Sequence, residues 1–246
     1  MNIQPIILAG GKGTRMESDL PKVLVPLKGK PLVEYLLDTV ETVDGLEKPI
    51  VVVGYERDQV KNVIGERARF AIQEEQLGTG HAVGCAIDMV TSDNIVVMYG
   101  DMPFISKADI EQLIQTHKTN MGVVTMVTVT VEDYEGARKN VERYGRVIRK
   151  DGKVIENIEY KDADDATKAI KEVSPAYFVI NTEWFKNAFK QIGSNNIAGE
   201  YYLPDVVKIA INEGKEVYSV SLPYTSVLGA NTRQELAVLE GLLGEK

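Results

Sequence analysis

A loop rich in glycine and basic side chains follows the first predicted strand of this sequence. It reads LAGGKGTRMESDLPKVLVPLKGKP, residues 8–31, and its five basic side chains against two acidic ones give a local charge of +3. The whole chain, in contrast, has a formal net charge of −8. Lysine and arginine side chains, together with backbone amides that glycine leaves accessible, bind phosphate oxygens. The loop is therefore predicted to bind a small phosphorylated ligand.

Two common phosphate-binding patterns do not describe this loop. The Walker pattern requires Ser or Thr after its lysine, whereas Lys12 is followed by Gly13. The dinucleotide-binding fingerprint requires a third glycine where this chain has Met16. The loop must hold phosphate in another arrangement.

A second candidate for ligand chemistry is Asp101, which follows an apolar strand ending at Tyr99 in the segment MYGDMPF. Ser106 and Asp109 already supply the start signal of the next helix. The remaining structural explanation is a turn-forming aspartate after Gly100. Ligands of open α/β sheets bind at the carboxyl ends of strands, and Mg²⁺ is commonly bound by one or two carboxylates plus phosphate oxygens. Asp101 and the basic loop together favour a site for a nucleoside triphosphate and Mg²⁺.

Nucleophilic catalysis has little support in this sequence, because no nucleophile–base pair is evident. We expect His117 to lie on the surface and His81 to be a packed or capping residue without a catalytic role. Cys85, the only cysteine, is expected to be a buried structural thiol, and it excludes an internal disulfide. Phosphoryl or nucleotidyl transfer requires mainly positioning and charge neutralisation, which fits the residues available.

The first half of the chain alternates apolar runs with helical periodicity, which predicts an α/β protein with a Rossmann-like, doubly wound sheet. Apolar runs lie near residues 6–9, 49–54, 69–72, 94–100 and 121–131. The segment GRVIRKDGKVIENIEY predicts a hairpin with an Asp151-Gly152 turn. We interpret residues 1–246 as a single domain with a small β-rich insertion lobe at about residues 132–180.

Composition and the amino-terminal sequence restrict the partners and the compartment. The acidic net charge argues against nucleic acid as a partner. The amino terminus has neither the basic region nor the apolar length of a signal peptide or membrane span, so we expect no membrane association and a cytoplasmic location. The sequence does not indicate which oligomeric state the protein adopts.

Six further segments, together with the opening loop, give the chain a family resemblance. The loop resembles the GxGTRM…PK signature of sugar-nucleotide pyrophosphorylases, a family of nucleotidyltransferases. The remaining segments follow in the same order as in that family: QEEQLGTGHAV, YGDMPFI, YGRVIR, IEYKDA, NNIAGEYYLPDVV and GANTR. The chain is most similar to the uridylyltransferase domains of bifunctional N-acetylglucosamine-1-phosphate uridylyltransferases. The resemblance implies the nucleotide-diphospho-sugar transferase fold, with a mixed sheet.

The resemblance also implies a role for individual positions. Catalytic cations that neutralise the triphosphate are Arg15 and Lys22. Residues along the uracil, its edge and the ribose are Leu8, Ala9, Gly11, Gln73, Gly78 and Thr79. Residues of the sugar pocket are Tyr99, Gly100, Gly145, Glu159 and Ser174. Ligands of the catalytic Mg²⁺ are Asp101 and Asn231.

Several positions depart from the family pattern. Gly10 stands where the family usually has alanine. Ser174-Pro175-Ala176 replaces an Asn-Thr-Gly run that contacts the sugar nucleotide, so this chain lacks an amide in the expected sugar pocket. Asn231 has a second explanation, since Asn-x-x-Gln is also a helix start. No hexapeptide-repeat segment occurs within these residues, and we expect no acetyltransferase activity from them.

The sequence therefore predicts Mg²⁺-dependent transfer of a uridylyl group from UTP to a hexose 1-phosphate, with release of pyrophosphate. N-acetylglucosamine 1-phosphate is the first candidate acceptor, and glucose 1-phosphate or another hexosamine phosphate follows. A regulatory subunit that senses nucleotide without turnover is an alternative, although the predicted catalytic side chains are all present. A glycosyltransferase that uses a finished sugar nucleotide is disfavoured, because such a donor has no γ-phosphate for the basic loop to bind.

Overall fold

A central sheet with helices on both faces organises residues 2–244, the part of the chain that the computed structural model describes. The strands are β1 (Ile3–Ala9), β2 (Pro26–Leu27), β3 (Lys30–Pro31), β4 (Ile50–Val53), β5 (Arg69–Ile72), β6 (Asn94–Tyr99), β7 (Val124–Thr130), β8 (Gly145–Lys150), β9 (Lys153–Ile158), β10 (Glu172–Ser174), β11 (Phe178–Asn181) and β12 (Val217–Ser221). The helices are α1 (Leu32–Thr42), α2 (Arg57–Ile64), α3 (Thr79–Ile87), α4 (Lys107–Asn120), α5 (Asp165–Lys168), α6 (Thr182–Ala188), α7 (Asp205–Asn212) and α8 (Arg233–Gly244).

The strand order explains why distant segments meet at one edge of the sheet. The order is β5-β4-β1-β6-β11-β7-β10-β8-β9, and β12 pairs with β7. Strands β5, β4, β1 and β6 are parallel, and Leu8 pairs with Tyr99 near the carboxyl ends of β1 and β6. The loops that follow β1, β5 and β6 therefore leave the sheet from the same edge, as expected for ligand sites in open α/β sheets.

The α/β class and the mixed sheet agree with the sequence-based prediction. Strand β11 pairs antiparallel with both β6 and β7 and so lies inside the main sheet. Its residues fall at the end of the range that we interpreted as an insertion lobe. Strands β8, β9 and β10 continue the sheet beyond β7, and treating them as a separate lobe stays a prediction.

Alternation along the buried strands creates one apolar core on each face of the sheet. Ile3 and Ile7 of β1 pack with α1, α2 and α4, whereas Ile6 and Leu8 pack with α3, α6 and α7. All seven residues of β1 are buried. A strand covered on both faces has continuous apolar character, which is why the apolar runs in the sequence indicated buried strands.

The predicted hairpin turn forms as expected between β8 and β9. Asp151 and Gly152 have φ values of 50° and 77°, so both central residues are in the left-handed region. This is the backbone required by a two-residue type I′ turn, and Asp-Gly is one of its preferred sequences. In the described part of the chain, none of the helices combines the length and apolar character needed to cross a membrane.

The thiol of Cys85 is less buried than we expected from the sequence. Cys85 is half-buried on α3 and is not paired in a disulfide. Its Sγ lies 3.8 Å from His81 Nε2, one helical turn earlier. Partial burial still raises the pKa of this thiol, so it is a poor nucleophile at neutral pH.

The expectation that His117 lies on the surface is wrong. His117 is 1% exposed, with Nδ1 2.9 Å from Thr125 Oγ1 and Nε2 3.0 Å from Asn94 Oδ1. It lies on the same face of α4 as Ile110 and Leu113, which belong to the apolar stripe that packs on the sheet. Burial lowers the pKa of its imidazole from 6.5 to about 4.

This buried imidazole predicts a loss of stability at low pH. The unfolded chain takes up a proton near pH 6.5, whereas the folded chain does so only near pH 4, so acidification between these values favours unfolding. The contribution saturates at about 3 kcal/mol once the pH falls below the folded pKa. Denaturant unfolding from pH 7.5 to 4.5 should show this loss in the native protein.

The variant His117→Gln is the matched control, because it keeps a polar side chain but cannot titrate. Other titrating groups are common to both proteins and cancel in the difference. The free energy of unfolding should therefore fall less steeply with acidification in His117→Gln. Parallel curves for the two proteins would contradict the assignment of this pH dependence to His117.

Candidate active site

The basic loop after β1 is held so that Lys22 points into the edge of the sheet where the strands end. Gly13 has φ of 69°, and a Cβ at this position would lie 2.8 Å from Lys22 Cβ. Real Cβ atoms do not approach each other so closely, and the left-handed backbone adds strain for any other residue. Gly13 therefore allows the two ends of the loop to pack against each other.

Lys22 joins the two predicted metal ligands. Its ammonium forms an ion pair with Asp101 Oδ2 and donates to Asn231 Oδ1 at 2.6 Å. Arg15 Nη2 lies 3.4 Å from the same Asn231 oxygen. Asp101 is only 7% exposed, and a largely buried carboxylate requires such a partner. The four residues predicted as catalytic cations and metal ligands thus form one cluster.

Asn231 does not cap helix α8. Thr232 Oγ1 accepts from Glu235 N at 3.2 Å, and Glu235 Oε2 accepts from Asn231 N. This arrangement resembles a capping box that begins one residue later than the sequence suggested. The side chain of Asn231 is therefore available to the Lys22–Asp101 cluster.

The segment before α8 packs directly on the backbone of Asp101. Ala230 N donates to Asp101 O at 3.2 Å, and a Cβ at Gly229 would lie 3.0 Å from Met102 Cγ. This close packing places Asn231 beside the end of β6, although the two segments are far apart in sequence.

The cluster fits a divalent cation of the magnesium type. Asp101 and Asn231 each direct an oxygen at the Lys22 ammonium, so two hard oxygen donors already converge on a positive charge. Mg²⁺ takes one or two protein oxygens and completes its octahedron with waters and substrate phosphate oxygens. These two side chains could hold such an ion, with Lys22 displaced towards bound phosphate.

All six residues predicted to bind the nucleotide line one cavity of about 280 Å³. They are Leu8, Ala9, Gly11, Gln73, Gly78 and Thr79. The cavity lies at the carboxyl ends of β1 and β5, beside the start of α3. Gln76 also lines it and was not assigned a role from the sequence.

The wall of this cavity depends on a close backbone contact between two of the motif segments. Gly80 N donates to Tyr201 O at 2.7 Å, and Tyr201 N donates to Leu77 O at 2.8 Å. Gly78 has φ of 113°, and a Cβ there would lie 2.6 Å from Tyr201 O. Any residue other than glycine at position 78 would push these segments apart.

A second cavity of about 570 Å³ contains four of the five residues predicted to bind the sugar. They are Tyr99, Gly145, Glu159 and Ser174. The fifth, Gly100, lines neither cavity. It is buried beneath the site, where its N–H donates to Leu8 O and a Cβ would meet Val23 and Val33.

Two side chains of the larger cavity have perturbed ionisation. Burial, with Asp162 and Asp205 adding negative charge, raises the pKa of Glu159 from 4.5 to about 7. Burial raises the pKa of the Tyr99 phenol far above its usual value, so this hydroxyl stays neutral. A carboxyl group that titrates near neutral pH at the wall of a cavity is a common property of ligand sites.

The hydroxyl oxygen of Ser174 already accepts one hydrogen bond within its own turn. Its Oγ accepts from Ala176 N at 3.1 Å, and Ala176 has φ of 61°. A left-handed conformation costs a non-glycine residue free energy, and the hydrogen bond from its own N–H helps to hold the turn. Ser174 therefore presents less hydrogen-bonding capacity to the cavity than the asparagine of the family would.

Sequence reasoning did not assign several other residues that line the larger cavity. They include Asn140, Arg143, Glu200 and Tyr202. Glu200 and Tyr202 lie within a quoted motif, so the motif itself was the available signal. Asn140 and Arg143 lie in a segment with neither a motif nor clear periodicity, and only the tertiary structure brings them to the site.

The two cavities meet at the cluster described above. Both are lined by Lys22, Thr79, Tyr99, Asp101 and Glu200. Molecules bound in the two cavities would therefore approach each other beside the Lys22–Asp101 ion pair. Such an arrangement suits the transfer of a phosphate-linked group between two substrates.

Comparison with known proteins extends the resemblance along the chain. The "Bifunctional protein GlmU" of an Exiguobacterium species is 40% identical over 245 residues, which cover 98% of this chain and 52% of that protein. The GlmU of Thermoanaerobacter pseudethanolicus is 38% identical over 243 residues, again 98% of this chain and 51% of that protein. The chain thus spans about half the length of these relatives.

Solved structures support the fold. A CMP:2-keto-3-deoxy-manno-octonic acid synthetase complexed with CTP has a TM-score of 0.73 at 17% identity, covering 100% of this chain and 99% of its own. A putative glucose-1-phosphate thymidylyltransferase from Bacillus anthracis has a TM-score of 0.77 at 18% identity, covering 98% of this chain and 94% of its own. At such identities the likeness shows the fold alone.

Residues 5–182 match the model of the MobA-like NTP transferase domain family. That match covers most of the strands and the loops after β1, β5 and β6. The chain therefore belongs to the MobA-like NTP transferase domain family and is a nucleotidyltransferase.

Proposed function

We propose that this nucleotidyltransferase transfers a uridylyl group from UTP to a hexose 1-phosphate, with N-acetylglucosamine 1-phosphate as the first candidate acceptor. The products are the UDP-sugar and pyrophosphate. The observation that carries the proposal is the junction of the two cavities at Lys22 and Asp101. The smaller cavity would hold the nucleoside, the larger one the sugar, and the reacting phosphates would lie between them.

The chemistry requires little beyond positioning and neutralisation of charge. A sugar 1-phosphate is already anionic, so its oxygen can attack the α-phosphorus in line with the departing pyrophosphate, without a general base. Arg15 and Lys22 would hold the pyrophosphate as its negative charge develops. When bound at Asp101 and Asn231, Mg²⁺ would neutralise charge on the phosphate oxygens and align them.

The acceptor sugar is the least constrained part of the proposal. Ser174 replaces the asparagine expected from the resemblance, and its Oγ already accepts a hydrogen bond from Ala176 N. Glucose 1-phosphate or another hexosamine 1-phosphate is therefore the second candidate.

The direct test is a matrix of nucleoside triphosphates against sugar 1-phosphates with Mg²⁺, in which pyrophosphate release is measured. We expect the highest rate with UTP and N-acetylglucosamine 1-phosphate. Binding of UTP without turnover on any sugar phosphate would favour a nucleotide sensor instead. Sugar transfer without pyrophosphate would favour a glycosyltransferase.

Replacing Asp101 by alanine should lower turnover by at least about 100-fold, the scale of losing one electrostatic stabiliser in an active site. The matched control is Asp44→Ala, because the Asp44 side chain is 98% exposed and pairs with Lys107 at 3.5 Å. Pyrophosphate release at saturating substrates measures the effect. Near-normal turnover by Asp101→Ala would contradict its role in the site.

The raised pKa of Glu159 predicts a pH dependence of acceptor binding. Above pH about 7 the carboxylate is ionised and accepts hydrogen bonds from sugar hydroxyls, whereas below it the protonated form accepts them weakly. The KM for the sugar 1-phosphate should therefore fall as the pH rises from about 6 to about 8.

The variant Glu159→Gln removes this titration while keeping the shape of the side chain. Ionisation of the substrate phosphate affects both proteins equally, so the difference between their profiles isolates Glu159. An inflection that persists unchanged in Glu159→Gln would show that another group is responsible.

A further inference from the structure

Gln73, which follows β5, is held by two hydrogen-bond partners of its side-chain nitrogen. Nε2 lies 3.1 Å from Gly78 O and 3.2 Å from His81 Nδ1. The residue is 5% exposed and lines the smaller cavity. Its amide group is therefore both buried and anchored at the wall of the proposed nucleotide site.

The chemistry of these partners fixes which end of the amide faces them. Gly78 O is a carbonyl and can only accept, so the atom beside it must be the Gln73 nitrogen. With that nitrogen in place, His81 Nδ1 must also accept. The ring proton of His81 then lies on Nε2, which is 3.8 Å from Cys85 Sγ, a weak acceptor.

The carbonyl end of the amide is left for a ligand. Oε1 lies 3.0 Å from the position that a Cβ on Gly10 would occupy, and Gly10 lines the same cavity. Among residues 2–244, the hydrogen bonds of the Gln73 amide group are those made by its nitrogen. The cavity therefore has a hydrogen-bond acceptor of fixed orientation at its wall. The alanine that is usual in the family at position 10 would crowd this Gln73 oxygen.

We propose that His81 is a positioning residue that locks the amide of Gln73 with Oε1 towards the nucleotide, and that this lock selects pyrimidines carrying an imide N–H. Uracil and thymine present N3–H as a donor, which Oε1 accepts. Cytosine presents an unprotonated N3 in the same place, and two acceptors would face each other. This inference rests on the proposed function, because it requires the smaller cavity to bind the base.

Pairing the amide with cytosine N3 would require the amide to turn over. That rotation would direct Oε1 at Gly78 O, which is another acceptor, and would remove the donor from His81 Nδ1. Gly78 O opposes this rotation directly. His81 opposes it as well, because pairing Nδ1 with the turned amide would require the ring proton to move from Nε2, beside Cys85 Sγ, to Nδ1. A buried polar group left without its partner discriminates strongly between ligands.

The test compares His81→Leu with His81→Asn in the full chain. Leucine removes the acceptor and keeps most of the volume, whereas the asparagine oxygen can occupy about the position of Nδ1. Binding of UTP, dTTP and CTP is measured by calorimetry, turnover by pyrophosphate release, and folding by thermal unfolding. We expect the UTP-to-CTP affinity ratio to fall about tenfold in His81→Leu, the scale of one neutral hydrogen bond.

The expected pattern has three further parts. The affinity for dTTP should change in parallel with the affinity for UTP, because both bases carry the imide N–H. The effect appears in affinity and KM, while kcat with UTP changes little, since His81 is not among the residues that line either cavity. His81→Asn restores most of the native ratio.

A double-mutant cycle with Gln73→Ala decides whether His81 acts through Gln73. In that background His81→Leu should leave the UTP-to-CTP ratio unchanged. An unchanged ratio in His81→Leu alone, or an equal loss of all three nucleotides, would overturn the inference. So would a full effect of His81→Leu in the Gln73→Ala background.

Measurements of nucleotide binding distinguish a failure of this inference from a failure of the proposed reaction. A protein that prefers UTP over CTP through His81 but releases no pyrophosphate would contradict the proposed reaction and support the inference. A native protein that binds none of the three nucleotides would overturn both.

Discussion

The ion pair between Lys22 and Asp101, joined by the Asn231 amide oxygen, is the interaction on which the organisation of the site depends. It connects the loop after β1, the end of β6 and the segment before α8. An unpaired carboxylate at the largely buried Asp101 would carry a large desolvation penalty, so the pairing restrains a loop with little regular structure. Gly13 and Gly229 make the pairing possible, because each lets backbone segments approach more closely than a side chain would allow.

The sequence predicted the parallel half of the sheet well because strands buried on both faces are continuous apolar runs. It could not place β11, since an antiparallel strand inserted between β6 and β7 is a long-range pairing with no local pattern. His117 shows a different limit. Its spacing from Ile110 and Leu113 matched the buried face of α4, but a titratable side chain is usually expected in water, and its partners Thr125 and Asn94 lie on separate strands.

The site residues were predictable to the extent that sequence motifs contain them. Of the assigned positions, Gly100 is the one that lines neither cavity, because its backbone packs beneath the site. Gly11 shows the other use of a motif glycine, since an added Cβ there would have no neighbour within 4 Å and would project into open space. Asn140 and Arg143 could not be found, because a cavity wall formed by an irregular segment has no periodicity in sequence.

The two cavities differ in how their polar groups are held, and this difference bears on substrate choice. In the smaller cavity, contacts between residues 77–80 and Tyr201 fix the wall, and the Gln73 amide is anchored at its nitrogen. In the larger cavity, Glu159 titrates near neutral pH and the Ser174 hydroxyl is engaged within its own turn. Under the proposed function, recognition of the base would depend on groups with one fixed orientation, whereas recognition of the acceptor would depend on residues at the ends of β8, β9 and β10. Changes in those strands would then alter the acceptor without disturbing the junction of the cavities, since the junction is built from the loop after β1, the start of α3, the end of β6 and Glu200.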